Sequence, residues 1–334
     1  MKKIKIGIIG CGNWGVNIAR NLIDLRVLKK IVDVEPNSEK IKKFDPSIIS
    51  KNLNDILNDK EITCVVIATP AITHKNFAIK ALKSNKHIFV EKPFCLSVND
   101  AREIINEANK YDKKIFVGHL LQYHNGFIEL KKLVNKGLIG NIKILKSNRL
   151  NFGAIRLNES VLYDLASHDI SMILSITNEM PIDIQTNAIF KNSKTFPDII
   201  NVILTFKNNI FANLSADWIS PYKEHRFSVL GSKGSLVFDD TKNWNEKLSL
   251  NPSIINKDLS MIHKKSKFIK LIEKEPLRKE LESFINCVDT TISTHHTINI
   301  KYHFTFICGS GSGSSRKCYF IKCLCAVIIS SSNG

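Results

Sequence analysis

The sequence predicts an α/β protein: a doubly wound parallel sheet, followed by an α+β domain with a large, mostly antiparallel open sheet. Three observations predict it. Short apolar strands alternate with helical patterns up to about residue 119, as crossover-connected parallel strands do. Beyond that point strand-like stretches follow one another across short turns, which implies an antiparallel or mixed sheet. The 334 residues give room for two domains with sizeable cores.

Each element has a local reason. Residues 4–10 form a short β-branched apolar run, the signature of a buried parallel strand. Helices are expected over 13–25, 74–84 and 97–111, with strands at 28–34, 45–50, 64–68, 87–90 and 114–118. The third helix opens on Ser97, with Asp100 three residues later, which reads as a capping box. A helix over 126–136 ends at Gly137, a good C-terminal stop. Strands are then expected at 142–148, 183–189, 200–206, 210–216, 226–231 and 234–238, with turns at Asn208-Asn209 and Ser232-Lys233. A helix over 162–176 interrupts them, and Pro276 starts a last helix to residue 288. The resulting domains are 1–120, 121–288 and an atypical Ser- and Cys-rich tail, 289–334.

Composition removes several classes. A 43% hydrophobic and 24% charged chain is neither wholly disordered nor collagen-like. No apolar run approaches the roughly 20 residues of a membrane span. The N-terminus enters a strand at once, without a signal-peptide pattern, so a cytoplasmic protein is expected. The net charge of +17 is mostly Lys. No basic stripe interleaved with aromatics appears, so a specific nucleic-acid partner is not expected, while anionic ligands suit the charge. Cys11, Cys64, Cys95 and Cys287 read as free core thiols. Cys308, Cys318, Cys323 and Cys325 lack zinc spacing, and no metal is expected.

The strongest motif is Gly10-Cys11-Gly12-Asn13-Trp14-Gly15, between a strand and a helix. Gly10 permits the tight turn, Gly12 lets a pyrophosphate reach the backbone, and Gly15 lets the helix pack closely. The pyrophosphate would rest on the helix N-terminus. Asp33 ends the second strand, 23 residues after Gly10, where an acid binds the ribose 2′-hydroxyl. Val34 and Glu35 follow, with no Arg to hold a 2′-phosphate, which favours NAD over NADP.

A second cluster is Thr69-Pro70, Glu91-Lys92-Pro93 and Asp164 with His168. The first two lie at carboxyl ends of parallel strands, where open α/β sheets bind ligands. Asp164 and His168 stand i, i+4 on a helix and share a face. A Lys, a His and an Asp near a nicotinamide suit alcohol oxidation. Composition alone reads them equally well as a loop Lys and a helix-face His satisfied by a carboxylate.

Taken together these stretches resemble the Gfo/Idh/MocA oxidoreductases, the glucose-fructose oxidoreductase and inositol dehydrogenase family. The residues that carry the likeness are 7–15, 67–74, 87–93, 117–119 and 162–169, within a match running from residue 2 to about 288. The resemblance implies a Rossmann domain, then a domain whose open sheet forms a homodimer or homotetramer interface. It implies hydride transfer between NAD(P) and a sugar or cyclitol hydroxyl. Lys92 maps to the family lysine beside nicotinamide and substrate, His168 to its acid/base and Asp164 to the partner of that His. Asn13, Trp14, His74 and Glu91 join Gly10, Gly12, Gly15, Asp33, Thr69, Pro70 and Lys92 as cofactor-binding positions. The Lys92–Pro93 bond is expected to be cis.

Residues 13–21, 147–150 and 217–234 look like nucleotide-sugar members, which resemble UDP-N-acetylglucosamine 3-dehydrogenases. Arg149, Arg156, Lys223 and Arg226 would then meet a diphosphate, and Tyr123 would line the sugar site. Asn125 departs from a Pro common in that segment. The expected function is an NAD-dependent sugar dehydrogenase, acting at C3 of a UDP-sugar; the alternatives are a free sugar or inositol, or NAD binding without turnover. The tail departs most. Where the family has a Gly loop and a long amphipathic helix, this chain has Thr290 to His296 and a Gly/Ser run at 309–315.

Overall fold

A computed structural model describes residues 4–153, 155, 160–192, 194–256 and 258–289. The tail, Arg156 and the four distal cysteines lie outside the described residues. Two compact units are present.

The first unit holds residues 4–119 and the helix that begins after Pro276. Its sheet orders β3-β2-β1-β4-β5-β6, all parallel. The strands are β1 (Ile6–Ile9), β2 (Leu28–Val32), β3 (Ile49–Ser50), β4 (Cys64–Ile67), β5 (His87–Glu91) and β6 (Ile115–Gly118). Crossovers run through α1 (Gly15–Asp24), α2 (Asn54–Leu57), α3 (His74–Lys83) and α4 (Val98–Lys110). This is the doubly wound parallel sheet read from the strand–helix alternation. Apolar strands such as Cys64–Ile67 are buried on both faces because helices cover both. Ser97 Oγ accepts from the Asp100 N–H at 3.0 Å, so the expected cap is made.

Sequence order assigned residues 277–288 to the second domain. In the structure α7 (Pro276–Asp289) lies with the first unit from Leu277 onward. Aromatic packing decides this: Phe284 meets Phe89 edge-on at 5.6 Å and Phe116 at 5.6 Å, while Phe89 and Phe116 stack at 5.4 Å. Fully burying each ring contributes roughly 1.5–3 kcal/mol.

The same geometry buries a carboxyl. Phe89 and Glu91 share one face of β5, and Glu280 stands one helical turn before Phe284. Glu280 is therefore carried to Glu91. Burial and then the Glu91 charge hold its pKa well above the carboxylate range. A carboxyl whose pKa folding raises favours the fold at acid pH, and that contribution is lost as pH rises through the folded-state pKa. Glu280→Gln, neutral at every pH, is expected to melt with wild type at pH 4, below the unfolded pKa of 4.5, and above it at pH 8.5. Identical melting curves at both pH values would remove the charge from this account.

The second unit spans residues 120–276. Its eight-stranded sheet orders β16-β13-β12-β11-β7-β10-β9-β8. The strands are β7 (Ile142–Phe152), β8 (Asp183–Ile189), β9 (Ile199–Thr205), β10 (Phe211–Asp217), β11 (Ile219–Gly231), β12 (Gly234–Asp239), β13 (Leu248–Asn251) and β16 (Lys267–Phe268). A small hairpin, β14 (Ile254–Ile255) with β15 (Met261–Ile262), stands apart. All pairs in the large sheet are antiparallel except β7 with β10. The helices are α5 (Asn125–Asn135) and α6 (Ser167–Thr177). Asn208 and Asn209 both take positive φ, 59° and 57°, as a tight hairpin turn requires. Among the described residues no helix is long and apolar enough to cross a membrane.

Candidate active site

The carboxyl edge of the first sheet is built around Gly10, which turns at φ 88° and donates its N–H to Val32 O at 2.8 Å. A Cβ on Gly15 would lie 2.3 Å from the Gly10 carbonyl oxygen, whereas one on Gly12 would meet nothing within 4 Å. So Gly15 sets the contact between helix and turn, and Gly12 leaves the backbone open to a ligand. No side chain caps α1, and its first turn carries no acid, which leaves N–H groups and the positive dipole end for an anion. These features fit a dinucleotide pyrophosphate. Gly15→Ala is expected to raise the NAD+ Kd at least roughly tenfold, or 1.4 kcal/mol; calorimetric titration checks it.

Asp33 follows β2. Its Oδ2 accepts from the Cys11 N–H at 2.6 Å and its Oδ1 from the Glu35 N–H at 2.8 Å. Two backbone donors thus fix the carboxylate beside the glycine turn, as a ribose-binding acid needs. Burial, then Asp33, pushes the Cys11 thiol up to about 12, so it stays protonated.

Glu91 ends β5 opposite Gly118 of β6. A Cβ on Gly118 would come within 3.0 Å of the Glu91 carboxyl, so a glycine there makes room for it. Glu91 Oε1 accepts from Trp14 Nε1–H at 2.8 Å, and Oε2 accepts from the Lys92 N–H at 3.3 Å. The Trp14 bond joins the glycine-rich turn to the end of β5, next to Lys92. Burial pushes the Glu91 pKa up to about 7, against the pull of Trp14 and the Lys92 charge. The Lys92–Pro93 bond is cis, as expected.

His74 is buried, with Nδ1 2.8 Å from Pro93 O and Nε2 2.8 Å from Thr69 O. It ties the Thr69-Pro70 segment to the Lys92-Pro93 segment. Burial lowers its pKa, and a neutral ring donates to one carbonyl at a time. The expected cofactor position is thus a brace between two loops. Thr69 Oγ1 accepts from Thr73 Oγ1–H at 2.7 Å.

In the second unit, Asp164 sits in a π-helical turn, Leu162–Ala166, and His168 in the first turn of α6. The sequence expectation of one regular helix is corrected here: the π turn widens the helix just before His168. Such turns concentrate at functional sites. The residue after His168, Asp169, is buried and holds Arg149 of β7 through a short Nε–Oδ2 ion pair and an Nη2–Oδ1 contact of 3.2 Å. Ser147 donates to the same carboxylate. Arg149 is only 6% exposed, so the expected diphosphate contact gives way to an internal clamp that fixes α6 on the sheet.

Lys223 and Arg226 belong to β11. Its pairing with β7 slips between Ile219 and Glu224, and the irregular stretch leaves Lys223 exposed. Arg226 pairs with Asp239 at 3.2 Å and Glu224 at 3.4 Å, with its side chain 48% exposed. Tyr123 ends a short 3-10 turn, Leu120–Tyr123, and is half-buried. His225, missed by sequence reasoning, lies directly across from Arg149. Burial, then the Arg149 and Lys223 charges, lowers its pKa to about 4. No group of three metal-ligating side chains occurs among the described residues.

Residues 4–119 match the family model described as "Oxidoreductase family, NAD-binding Rossmann fold", and residues 127–237 match the "GFO/IDH/MocA C-terminal domain". The chain belongs to the Gfo/Idh/MocA oxidoreductase family. This oxidoreductase carries its nicotinamide-cofactor site on the Rossmann unit. It is 26% identical over 259 residues to myo-inositol 2-dehydrogenase of Thermotoga maritima, covering 72% of this chain and 76% of that one. It is 27% identical over 257 residues to 2,7-anhydro-N-acetylneuraminate hydratase of Escherichia coli strain K12, covering 71% and 68%. Its fold matches UDP-N-acetylglucosamine 3-dehydrogenase GnnA of Acidithiobacillus ferrooxidans with a TM-score of 0.72 at 23% identity, covering 86% and 89%.

Proposed function

We propose that this oxidoreductase is an NAD-dependent dehydrogenase of a sugar ring hydroxyl, acting at C3 of a UDP-sugar such as UDP-N-acetylglucosamine. The observation that carries the cofactor choice is Asp33, whose carboxylate two backbone N–H groups hold at the end of β2. Exposed Val34 and Glu35 follow it, so neither of the next two residues offers a cation to a 2′-phosphate. When bound, the nicotinamide supplies the acceptor for a hydride from the carbinol carbon. The hydroxyl proton passes to Lys92 or His168, and Asp164 orients His168. The diphosphate would be met by Lys223 and by the exposed part of Arg226, with Arg156 a further candidate.

One observation favours a second reading, a free sugar or inositol. Arg149 is held by Asp169, which leaves fewer cations for a diphosphate. A screen of UDP-sugars, free sugars and inositols, followed by NADH absorbance, separates the two. Turnover of UDP-sugars alone supports the first reading; turnover of free inositol or hexose with no nucleotide requirement replaces it. NAD+ binding without NADH formation on any of them would leave a cofactor-binding protein without turnover.

The proposed assembly is a homodimer or homotetramer through the eight-stranded sheet. One face of that sheet buries Leu145, Val202, Leu214 and Val229, while the other leaves Ile144, Ile203 and Phe211 each about 40% exposed. Contiguous apolar exposure of this kind suits a second copy of the same face. We place the protein in the cytoplasm.

A further inference from the structure

His119 has no part in the mechanism above, yet it is the histidine the structure leaves least satisfied. Among the described residues, it alone has both ring nitrogens shielded from solvent without a hydrogen-bond partner. Other histidines of the chain show how a structural imidazole is accommodated. Both nitrogens of His74 meet backbone carbonyls. His124 accepts from the Gly126 N–H at 3.0 Å and faces Asp240 at 3.3 Å. Keeping a buried donor and acceptor unmet costs free energy, and such exceptions call for a functional explanation.

Its place points to one. His119 immediately follows β6, at the carboxyl edge where an open α/β sheet binds its ligands. Gly118 pairs with Glu91, so His119 leaves the sheet alongside Lys92. The His119 N–H donates to Val117 O at 2.9 Å, which turns the chain at that edge. Burial, then the Lys92 charge, pulls the imidazole pKa down to about 4. At working pH the ring is neutral, with one N–H and one lone pair. A ring that resists protonation is a poor proton acceptor, but it can serve a ligand group that donates one hydrogen bond and accepts another.

We propose that His119 is a ligand-binding residue of this oxidoreductase, pairing with a neutral group that both donates and accepts a hydrogen bond. Two groups present at such an edge have that chemistry: a hydroxyl of the substrate and the carboxamide of the nicotinamide. The proposal rests on the dehydrogenase reading, and its test is arranged so that the two fail separately.

His119→Phe keeps a planar ring and removes both polar atoms; His119→Gln restores a donor and an acceptor. Calorimetry measures the NAD+ Kd of each variant, then the binding of the screened sugars to the NAD+-loaded protein. His119→Phe is expected to melt no lower than wild type, because it deletes two unmet polar atoms, and to bind one ligand at least tenfold more weakly. A weaker NAD+ Kd assigns the carboxamide; weaker sugar binding at unchanged NAD+ Kd assigns the hydroxyl. In either case His119→Gln recovers part of the loss. Wild-type affinity for NAD+ and sugars in His119→Phe overturns the proposal, as does a lower melting temperature without a binding defect. Failure of the wild-type enzyme to turn over any sugar counts against the dehydrogenase reading and leaves both binding measurements in place.

Discussion

Lys92→Met is expected to lower kcat by roughly 10²–10⁴-fold, the usual contribution of a positioned proton-transfer group, while NAD+ still binds. The two effects separate because the dinucleotide anchors are elsewhere, at the uncapped α1 N-terminus and Asp33. Binding is best compared at pH 8.5. The Lys92 charge holds down the Glu91 pKa, which is already about 7. Without it Glu91 keeps its proton to higher pH, and its bond to Trp14 weakens in the neutral range. NADH absorbance at saturating substrate gives the rate, and calorimetry gives the affinity. His168→Asn run in parallel assigns the base: the variant that loses the acid limb of the kcat profile lacks it. Full turnover by the Lys92 variant would remove Lys92 from the chemistry.

Arg149→Met is expected to destabilise the second unit by about 3–5 kcal/mol, because it leaves Asp169 buried without its counterion. That corresponds to a melting temperature lower by roughly 6–20 °C. Arg149→Met combined with Asp169→Asn is expected to recover most of the loss, since the amide oxygen still accepts from Ser147. If the single variant melts with wild type, the pair is not a clamp. A diphosphate-binding Arg predicts something else: an intact fold with a raised KM for UDP-sugars alone.

Much of the first unit was legible. Its strands are continuous apolar runs such as Cys64–Ile67, and glycines with a distant acid mark the cofactor turn. The second sheet was legible only where its strands alternate. Leu248–Asn251 and Lys267–Phe268 are too short and polar to show a period. The β11 segment from Ile219 to Arg226 reads as a charged loop until the sheet pairs it. The parallel pairing of β7 with β10 depends on tertiary assembly and leaves no local trace. Site residues divide the same way. A sequence does not say whether an arginine faces a ligand or a buried carboxylate, and nothing local to Arg149 marks Asp169 as its counterion. Nor does it distinguish Glu280 from its solvated neighbours on a helix rich in charge. The raised pKa of Glu280 owes part of its shift to Glu91, a residue about 190 positions away in the chain.

The return of α7 to the first unit has a consequence for how the chain is made. During synthesis residues 4–119 leave the ribosome first, but Leu277 onward arrive only after the whole second unit has been translated. At roughly 5–20 residues per second this delay is about 8–30 s. Throughout it Phe89 and Phe116 lack the Phe284 ring that finally covers them. The nascent Rossmann half therefore keeps an aromatic surface uncovered, and its fold closes last although its sequence comes first.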